Sequence, residues 1–258
     1  MKERAGIQSV EVGFALLDVL ARAEGPLMLR DLAAAAGMSA AKAHRYLVSF
    51  QRLDLVQQDL ASTRYDLGPA ALQLGLATLS RLDPVRMARE RMPALLNQIG
   101  HTVALAVWGN QGPTIVHWQE SPQAMTILRL GDVMPLLTSA TGRCFAAYLP
   151  APLIAPKLKA ELALAQKMNR RDVPTTQAQA KAMLEEVRAH GIGRVIDTLL
   201  PGVVGLCAPV FDSDRHMILG MLSLGPRASF DDSWNGKPAR ALQEAARQLS
   251  HELGYRQA

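Results

Sequence analysis

Basic side chains near the amino terminus are placed where they could bind a polyanion. Lys42, His44, Arg45 and Arg52 lie within residues 32–53, a stretch that contains no acidic residue. Lysine and arginine neutralise the phosphates of nucleic acid, so this stretch is a candidate DNA contact. A solvated helix face can carry the same residues, and the elements around the cations must therefore decide between the two interpretations.

The surrounding segments predict a winged helix-turn-helix. Apolar residues at helical spacing predict three helices, and two short strands then follow around a polar tip. The predicted helices cover residues 9–21, 29–36 and 40–53, and the predicted strands cover residues 55–58 and 63–67. Three helices followed by a hairpin are the order in which a winged helix-turn-helix is built.

Small residues mark the ends of these helices. We expect Ser9 to cap the first helix, Gly37 to occupy a turn with positive φ, and Ser39 to cap the third helix. The apolar side of the third helix is expected to carry Ala43, Tyr46 or Leu47, Phe50 and Leu53. The expected DNA contacts are the residues of its other side together with one residue of the hairpin: Ser39, Ala41, Lys42, His44, Arg45, Ser49, Arg52 and Arg64.

A mostly apolar segment over residues 70–79 predicts a connecting helix. Gly68-Pro69 precedes it and Asp83-Pro84 follows it, and these pairs are typical of boundaries. Because an apolar helix is not stable alone in water, we expect it to pack against a second copy of the chain. The predicted organisation is a winged helix-turn-helix over residues 1–68, a linker helix over residues 69–83 and a larger domain over residues 84–258.

The larger domain is predicted to be α+β. Helices are expected over residues 85–99, 139–149 and 176–190. Strands are expected over residues 102–108, 113–119, 126–130, 205–211 and 218–224. Strands of several lengths with helices between them favour an antiparallel sheet with helices packed on its faces.

A small polar loop over residues 138–142 precedes a helix that is expected to begin near Arg143. Backbone N–H groups at a helix start attract anions, so this loop is a candidate site for a carboxylate. A plain helix cap would use the same residues, and both interpretations stay open.

Cysteines and histidines are the remaining groups that could carry chemistry. A thiolate nucleophile needs a base and an orienting group, and no such set accompanies Cys144 or Cys207. A redox-responsive pair of thiols remains an alternative, as does an enzyme that acts on a bound small molecule. The histidines are too scattered to predict a metal site: His101, His117, His190 and His216. No catalytic residue, metal or cofactor is predicted.

Length and composition limit the class of protein. With 258 residues, of which 49% are hydrophobic and 20% charged, the chain can form two packed domains. No apolar run approaches the roughly 20 residues that span a bilayer, and the first residues do not have the pattern of a signal peptide. We therefore expect a cytoplasmic protein. The net charge of +5 does not locate a DNA-binding end, because residues 1–80 contain eight basic and eight acidic residues.

In their order along the chain, several motifs resemble the IclR family of bacterial regulators. His44-Arg45-Tyr46-Leu47 is similar to that family's helix-turn-helix, and Arg64-Tyr65-Asp66-Leu67-Gly68 resembles the end of its wing. Further similar motifs follow at residues 186–191, 201–203 and 208–212. The resemblance covers nearly the whole chain. It implies a ligand-responsive transcription regulator of a catabolic pathway, with a GAF-like effector domain, a double-stranded DNA operator, and a homodimer or tetramer.

The chain departs from the family's pattern at positions that bear on specificity. Ala40-Ala41-Lys42 stands where the family commonly has Lys-Ser-Thr, so the operator of a relative cannot be transferred. In the effector domain Leu222 and Leu224 replace two serines, and we therefore expect an aromatic or otherwise partly apolar organic acid, or a derivative of one. The expected effector contacts are Ser139, Ala140, Thr141, Gly142, Val195, Asp197, Val203, Gly205, Cys207, Leu222 and Leu224.

Overall fold

The chain forms two compact units in the computed structural model, which describes residues 6–121 and 128–256. The first unit is Met1–Leu82 and the second is Asp83–Ala258. Within the described ranges, no helix is both long enough and apolar enough to cross a membrane.

The first unit is a winged helix-turn-helix, which confirms the predicted fold. Its elements are α1 (Gln8–Arg22), α2 (Leu29–Ala35), α3 (Ala40–Arg52), β1 (Val56–Gln58) and β2 (Tyr65–Leu67). The strands β1 and β2 form an antiparallel hairpin. The three helices bury Leu16, Leu32 and Leu47 completely, and these leucines form the centre of the core of this unit.

Two turn residues have the predicted roles, and two other residues do not. Gly37 has φ +66°, and the Ser39 side chain accepts a hydrogen bond from the Lys42 N–H at 3.4 Å. The prediction for Ser9 is wrong, because α1 begins at Gln8 after Ile7 and has no side-chain cap. Leu53 is also not a core residue. It lies just after the last turn of α3, where its side chain is exposed.

The connecting helix α4 (Pro69–Leu79) begins directly after the hairpin. The Gly68 N–H donates to the Leu55 carbonyl, and the Ala70 N–H donates to the Asp54 carbonyl, so the start of α4 is hydrogen-bonded to the residues before β1. Among the side chains of α4 that the structure describes, the large apolar ones that are exposed are Leu72, Leu74 and Leu76.

The second unit contains one five-stranded antiparallel sheet with helices on its faces, as predicted. Its elements are α5 (Pro84–Ile99), β3 (Thr102–Gly109), β4 (Gly112–Gln119), α6 (Ala140–Tyr148), α7 (Ala151–Lys167), α8 (Gln177–His190), β5 (Gly193–Ile196), β6 (Val203–Phe211), β7 (Met217–Pro226) and α9 (Lys237–Glu252). The strand order is β4-β3-β7-β6-β5. The helices α5 and α9 pack on one face, whereas α6 packs on the other face and is covered by α8.

Three elements were not predicted, and one predicted strand is wrong over the residues that the structure describes. The sequence patterns did not indicate α7, α9 or the four-residue edge strand β5. The strand expected over residues 126–130 has two residues, 126 and 127, outside the described part of the chain. Residues 128–130 are not a strand, because the Arg129 N–H donates to the Asp132 carboxylate and closes a turn.

We expect Gly142→Ala to destabilise the second unit. A Cβ atom at this position would lie 1.9 Å from the carbonyl oxygen of Pro135, so α6 or the preceding loop would have to move. Overpacking of this kind costs about 1–3 kcal/mol. Urea unfolding of the purified protein measures the change in the free energy of unfolding.

Gly25→Ala in the loop after α1 is the matched control, because nothing lies within 4 Å of the Cβ position there and its φ is not positive. Alanine should leave the free energy of unfolding unchanged or raise it by roughly 0.4–1 kcal/mol, since it restricts the unfolded chain. Equal stability of the Gly142 variant and the wild type would contradict the close contact between α6 and Pro135.

Candidate DNA interface and ligand cavity

The polar side of α3 is exposed and carries cations that no carboxylate neutralises. Lys42, Arg45 and Arg52 are exposed, and they form no ion pair with any residue that the structure describes. The two core residues Ala43 and Leu47 lie on the other side of the same helix. The helix therefore offers one apolar side to its own unit and one basic side to a partner.

The predicted DNA contacts do not all lie around one surface feature. Ala41, Lys42, Arg45 and Ser49 surround a single depression, to which Tyr46 also contributes. They share it because residues spaced by three or four lie on the same side of a helix. Ser39 and Arg52 lie at the two ends of α3, where both are exposed.

His44 and Arg64 have different surroundings from these residues. His44 lines a separate depression next to Arg30 and Gln58, between α3 and the hairpin. Arg64 is exposed at the loop end of the hairpin, directly before β2, and its guanidinium donates to the Pro26 carbonyl at 3.0 Å. That hydrogen bond holds Arg64 beside the chain segment that leads into α2.

A partly open cavity lies in the second unit between the first turn of α6 and the sheet. Its volume is about 40 Å³ when measured as the space open to the centre of a water molecule. None of the described residues that line it carries a charge. The cavity is therefore an apolar site with room for only a small group in this conformation.

Eight of the predicted effector contacts line this cavity: Ser139, Ala140, Thr141, Val195, Val203, Gly205, Leu222 and Leu224. Seven further lining residues were not predicted: Ile115, Leu128, Met134, Leu199, Leu200, Leu206 and Ser223. Most of these are ordinary apolar residues. A pattern of apolar residues indicates burial, but it does not indicate which buried side chains border empty space.

The first turn of α6 supplies the polar groups of the cavity. The helix begins at Ala140 and not near Arg143, with Ser139 as its cap. The Ser139 hydroxyl accepts from the Gly142 N–H at 2.8 Å and donates to the Pro135 carbonyl at 2.6 Å, so its hydrogen bonds are satisfied. The plain helix cap that the sequence left open is thus present.

Other donors at this helix start remain available. Among the described residues, the backbone N–H groups of Ala140 and Thr141 have no hydrogen-bond partner. The Thr141 side chain also lines the cavity. Thr141 is only 1% exposed. Ser223 differs, because its hydroxyl donates to the Thr102 carbonyl at 3.0 Å. A ligand in the cavity would therefore find its free hydrogen-bond donors at the start of α6.

Three predicted effector contacts lie outside the lining of the cavity. Gly142 packs against the carbonyl of Pro135. Asp197 has φ +57°, and its carboxylate accepts from the Gly202 N–H and pairs with Arg227, so it stabilises the turn between β5 and β6. Cys207 is fully buried within the core.

The two thiols lie together in that core. Cys144 on α6 and Cys207 on β6 are both 0% exposed. Burial raises the pKa of the Cys207 thiol, and the neighbouring Cys144 raises it further. A raised pKa disfavours the thiolate, which is the reactive form of cysteine.

One group of possible metal ligands lies on the hairpin between β6 and β7. Asp212, Asp214 and His216 bring one ligand atom each within 4.8 Å of one another. The Asp212 carboxylate accepts the N–H groups of Asp214 and His216, both at 2.9 Å. These hydrogen bonds account for the arrangement as part of the turn.

Comparison with known proteins identifies the family of the chain. Residues 9–60 match the family model described as the IclR helix-turn-helix domain. Residues 76–251 match the family model described as the bacterial transcriptional regulator IclR C-terminal domain. The second match alone covers more than half of the chain.

Individual relatives agree with both matches. The glycerol operon regulatory protein of Streptomyces griseus is 30% identical over 253 residues, covering 96% of this chain and 97% of its own. The crystal structure of Pseudomonas aeruginosa HmgR is 35% identical with a TM-score of 0.88, and the match covers 98% of this chain and 100% of that one. The Agrobacterium tumefaciens repressor BlcR, at 22% identity, has the same fold with a TM-score of 0.80, and the match covers 97% of this chain and 99% of that one. The chain therefore belongs to the IclR family of transcriptional regulators.

Proposed function

We propose that this regulator binds an operator through α3 and the hairpin, and that a small organic acid with an apolar body controls this binding from the cavity in the second unit. The observation that carries the proposal is the pairing of two features in one chain. The first unit has an exposed, unneutralised basic helix face, and the second has an uncharged cavity with free donors at one end.

The DNA contact is supported by the positions of the cations on α3. Lys42 and Arg45 border the same depression, and Arg52 continues the basic side by two further turns of the helix. A helix of this kind places side chains against base edges in the major groove. Arg64 lies on the hairpin, where a cation contacts phosphate and fixes the register.

The ligand class is supported by the chemistry of the cavity. Leu222 and Leu224 line it on β7, so its wall favours an apolar body. The free N–H groups of Ala140 and Thr141 and the Thr141 hydroxyl suit a single carboxylate, because the start of a helix stabilises negative charge. A ligand with two charged ends would leave one of them without a partner.

The size of the cavity supports a coupling between ligand and DNA binding. A cavity that binds benzene has a volume of about 150 Å³, whereas this one has about 40 Å³. An aromatic ligand must therefore favour a conformation in which the walls are further apart. A ligand that prefers one conformation shifts the protein toward it, and the affinity for DNA changes accordingly.

Self-association is supported by the exposed leucines of α4. Leu72, Leu74 and Leu76 are each more than half exposed. Apolar side chains exposed in this number on one helix mark an interaction site. We infer that α4 packs against a second copy of the chain, which places two basic helices on one pseudo-palindromic operator.

We expect Arg45→Ala to weaken DNA binding while leaving ligand affinity unchanged. The loss of one arginine contact to DNA costs on the order of ten- to a hundredfold in affinity. DNA selected from a random pool by the wild-type protein provides the probe, and fluorescence anisotropy measures its affinity. Arg22→Ala on α1 is the control, because Arg22 is exposed but paired with Asp18 and lies outside α3.

The Arg45 variant would contradict the proposal if it bound the selected DNA as tightly as the wild type does. A parallel loss of ligand affinity would show that the two sites are not separate.

We also expect the wild-type protein to bind benzoate and phenylacetate more tightly than glyoxylate in isothermal titration calorimetry. An aromatic ring removes more apolar surface from water in a cavity lined by leucines. Tighter binding of glyoxylate than of either aromatic acid would disprove the proposed ligand class.

Thr141→Val should weaken phenylacetate binding by about tenfold, because a hydrogen bond to a charged group is lost while the shape of the side chain is kept. Thr141→Ser should retain the affinity of the wild type. Thr138→Val is the control, since Thr138 belongs to the same loop but does not line the cavity. Unchanged affinity of the Thr141→Val variant would exclude this hydroxyl from the carboxylate site.

A further inference from the structure

The guanidinium group of Arg143 joins two segments that contribute walls to the cavity. Its Nε atom donates to the Leu137 carbonyl at 2.9 Å, and its Nη1 atom donates to the Arg194 carbonyl at 2.9 Å. Leu137 lies two residues before Ser139, where the cavity-lining part of α6 begins, and Arg194 lies next to Val195. One side chain therefore holds the loop before α6 at a set distance from β5.

The bond to Arg194 is made at the free edge of the sheet. The outer strand of the sheet is β5, and β6 is its neighbour. On β5 the Arg194 carbonyl is bonded to Arg143, and the Ile196 carbonyl accepts from the Thr198 hydroxyl at 2.9 Å. The position of this edge relative to α6 thus depends on a side chain and not on a further strand.

Arg143 is a half-buried cation, and both of its hydrogen bonds are partly shielded from solvent. Burial lowers the pKa of Arg143 to about 10, so the group stays protonated at neutral pH. Glu186 acts against this shift through its charge, but it forms no hydrogen bond with Arg143. A charged donor strengthens both bonds to the carbonyls. A lysine at this position could not form both hydrogen bonds, because a single ammonium group lacks the fork of donors that reaches two acceptors.

We propose that Arg143 determines the width of the cavity, and thereby the size of the apolar body that it admits. The inference rests on the proposed function of the cavity as a ligand site. An aromatic ring needs more than the present 40 Å³ or so, and the walls at α6 and β5 cannot separate without breaking one of the two bonds. Arg143 is therefore a positioning residue, which acts on the ligand through the walls.

The test compares Arg143→Lys with the wild type in calorimetric titrations of benzoate, phenylacetate and 1-naphthylacetate. The lysine variant keeps the charge and loses the bridge between the two carbonyls. We expect the ratio of naphthylacetate affinity to benzoate affinity to rise by about tenfold, the effect of one charged hydrogen bond. An unchanged ratio of the two affinities would overturn the proposal. This outcome includes an equal loss of affinity for all three acids, which would indicate a merely structural role.

Arg188→Lys is the matched control. Arg188 donates from Nε to the Ala147 carbonyl at 2.8 Å, so it also bonds to the backbone of α6. Unlike Arg143, it forms no hydrogen bond with β5 among the described residues. This variant should leave the affinity ratio unchanged. A rise of similar size in the Arg188 variant would show that any loosening of α6 alters the ligand preference, and the role assigned to Arg143 would fail.

Hydrogen–deuterium exchange provides a readout that needs no ligand. Arg143→Lys should speed exchange in residues 136–143 and 193–196 of the full chain, whereas Arg188→Lys should not. Equal exchange in wild type and Arg143→Lys would refute the bridge. If none of the three acids bound the wild type, the proposed ligand class would be wrong, and the exchange measurement would still decide whether Arg143 holds the two walls.

Discussion

The close approach of α6 to the edge of the sheet is the constraint on which the cavity in the second unit depends. A Cβ atom on Gly142 would lie 1.9 Å from the Pro135 carbonyl, and one on Gly193 would lie 2.4 Å from the Ala140 carbonyl. Only glycine allows the backbone segments to pack at these distances. The start of the helix is thereby placed beside β5, so free N–H donors and apolar side chains border the same small space.

The polar groups around the cavity are of two kinds. Some bond within the protein, and others remain available to a ligand. Ser139 and Ser223 both bond to backbone carbonyls and therefore stabilise the fold. Thr141 is equally buried and lines the cavity, and the backbone N–H groups of Ala140 and Thr141 beside it have no partner among the described residues. A buried polar group without a partner is costly, and a cavity that receives a ligand oxygen there would recover this cost. Because the donors without a partner lie at the start of α6, the cavity has one polar end in otherwise apolar surroundings.

The two units meet different physical demands. The first needs an exposed basic face on a helix that is also held by a core, and α3 satisfies both because Leu47 is fully buried while Arg45 is exposed. Under the proposed function, the second needs walls that are firm enough to select a ligand and able to change on binding. The side chain of Arg143 bonds to both the loop before α6 and β5, and it fixes the wall at these two points. Packing of apolar side chains holds the rest of the wall.

The sequence by itself determined the elements of the first unit and the fold class of the second. Helical spacing around Ala43 and Leu47 located α3, and Gly37 marked its turn. These features are local, because propensity and periodicity act over a few residues. The apolar pocket was instead predicted from the departure of Leu222 and Leu224 from the pattern of the family. The same local signals did not reveal the edge strand β5, which is short and paired on one side only.

Only the tertiary structure decided which of the predicted residues lie together. It grouped Arg45 with Lys42 and placed His44 elsewhere, and it brought Thr141 to the cavity while it assigned Asp197 to a turn. Whether a buried residue borders empty space depends on the distances between elements that are far apart in sequence. Those distances follow from backbone packing and from bridges such as that between Arg143 and Arg194, which no pattern along the chain records.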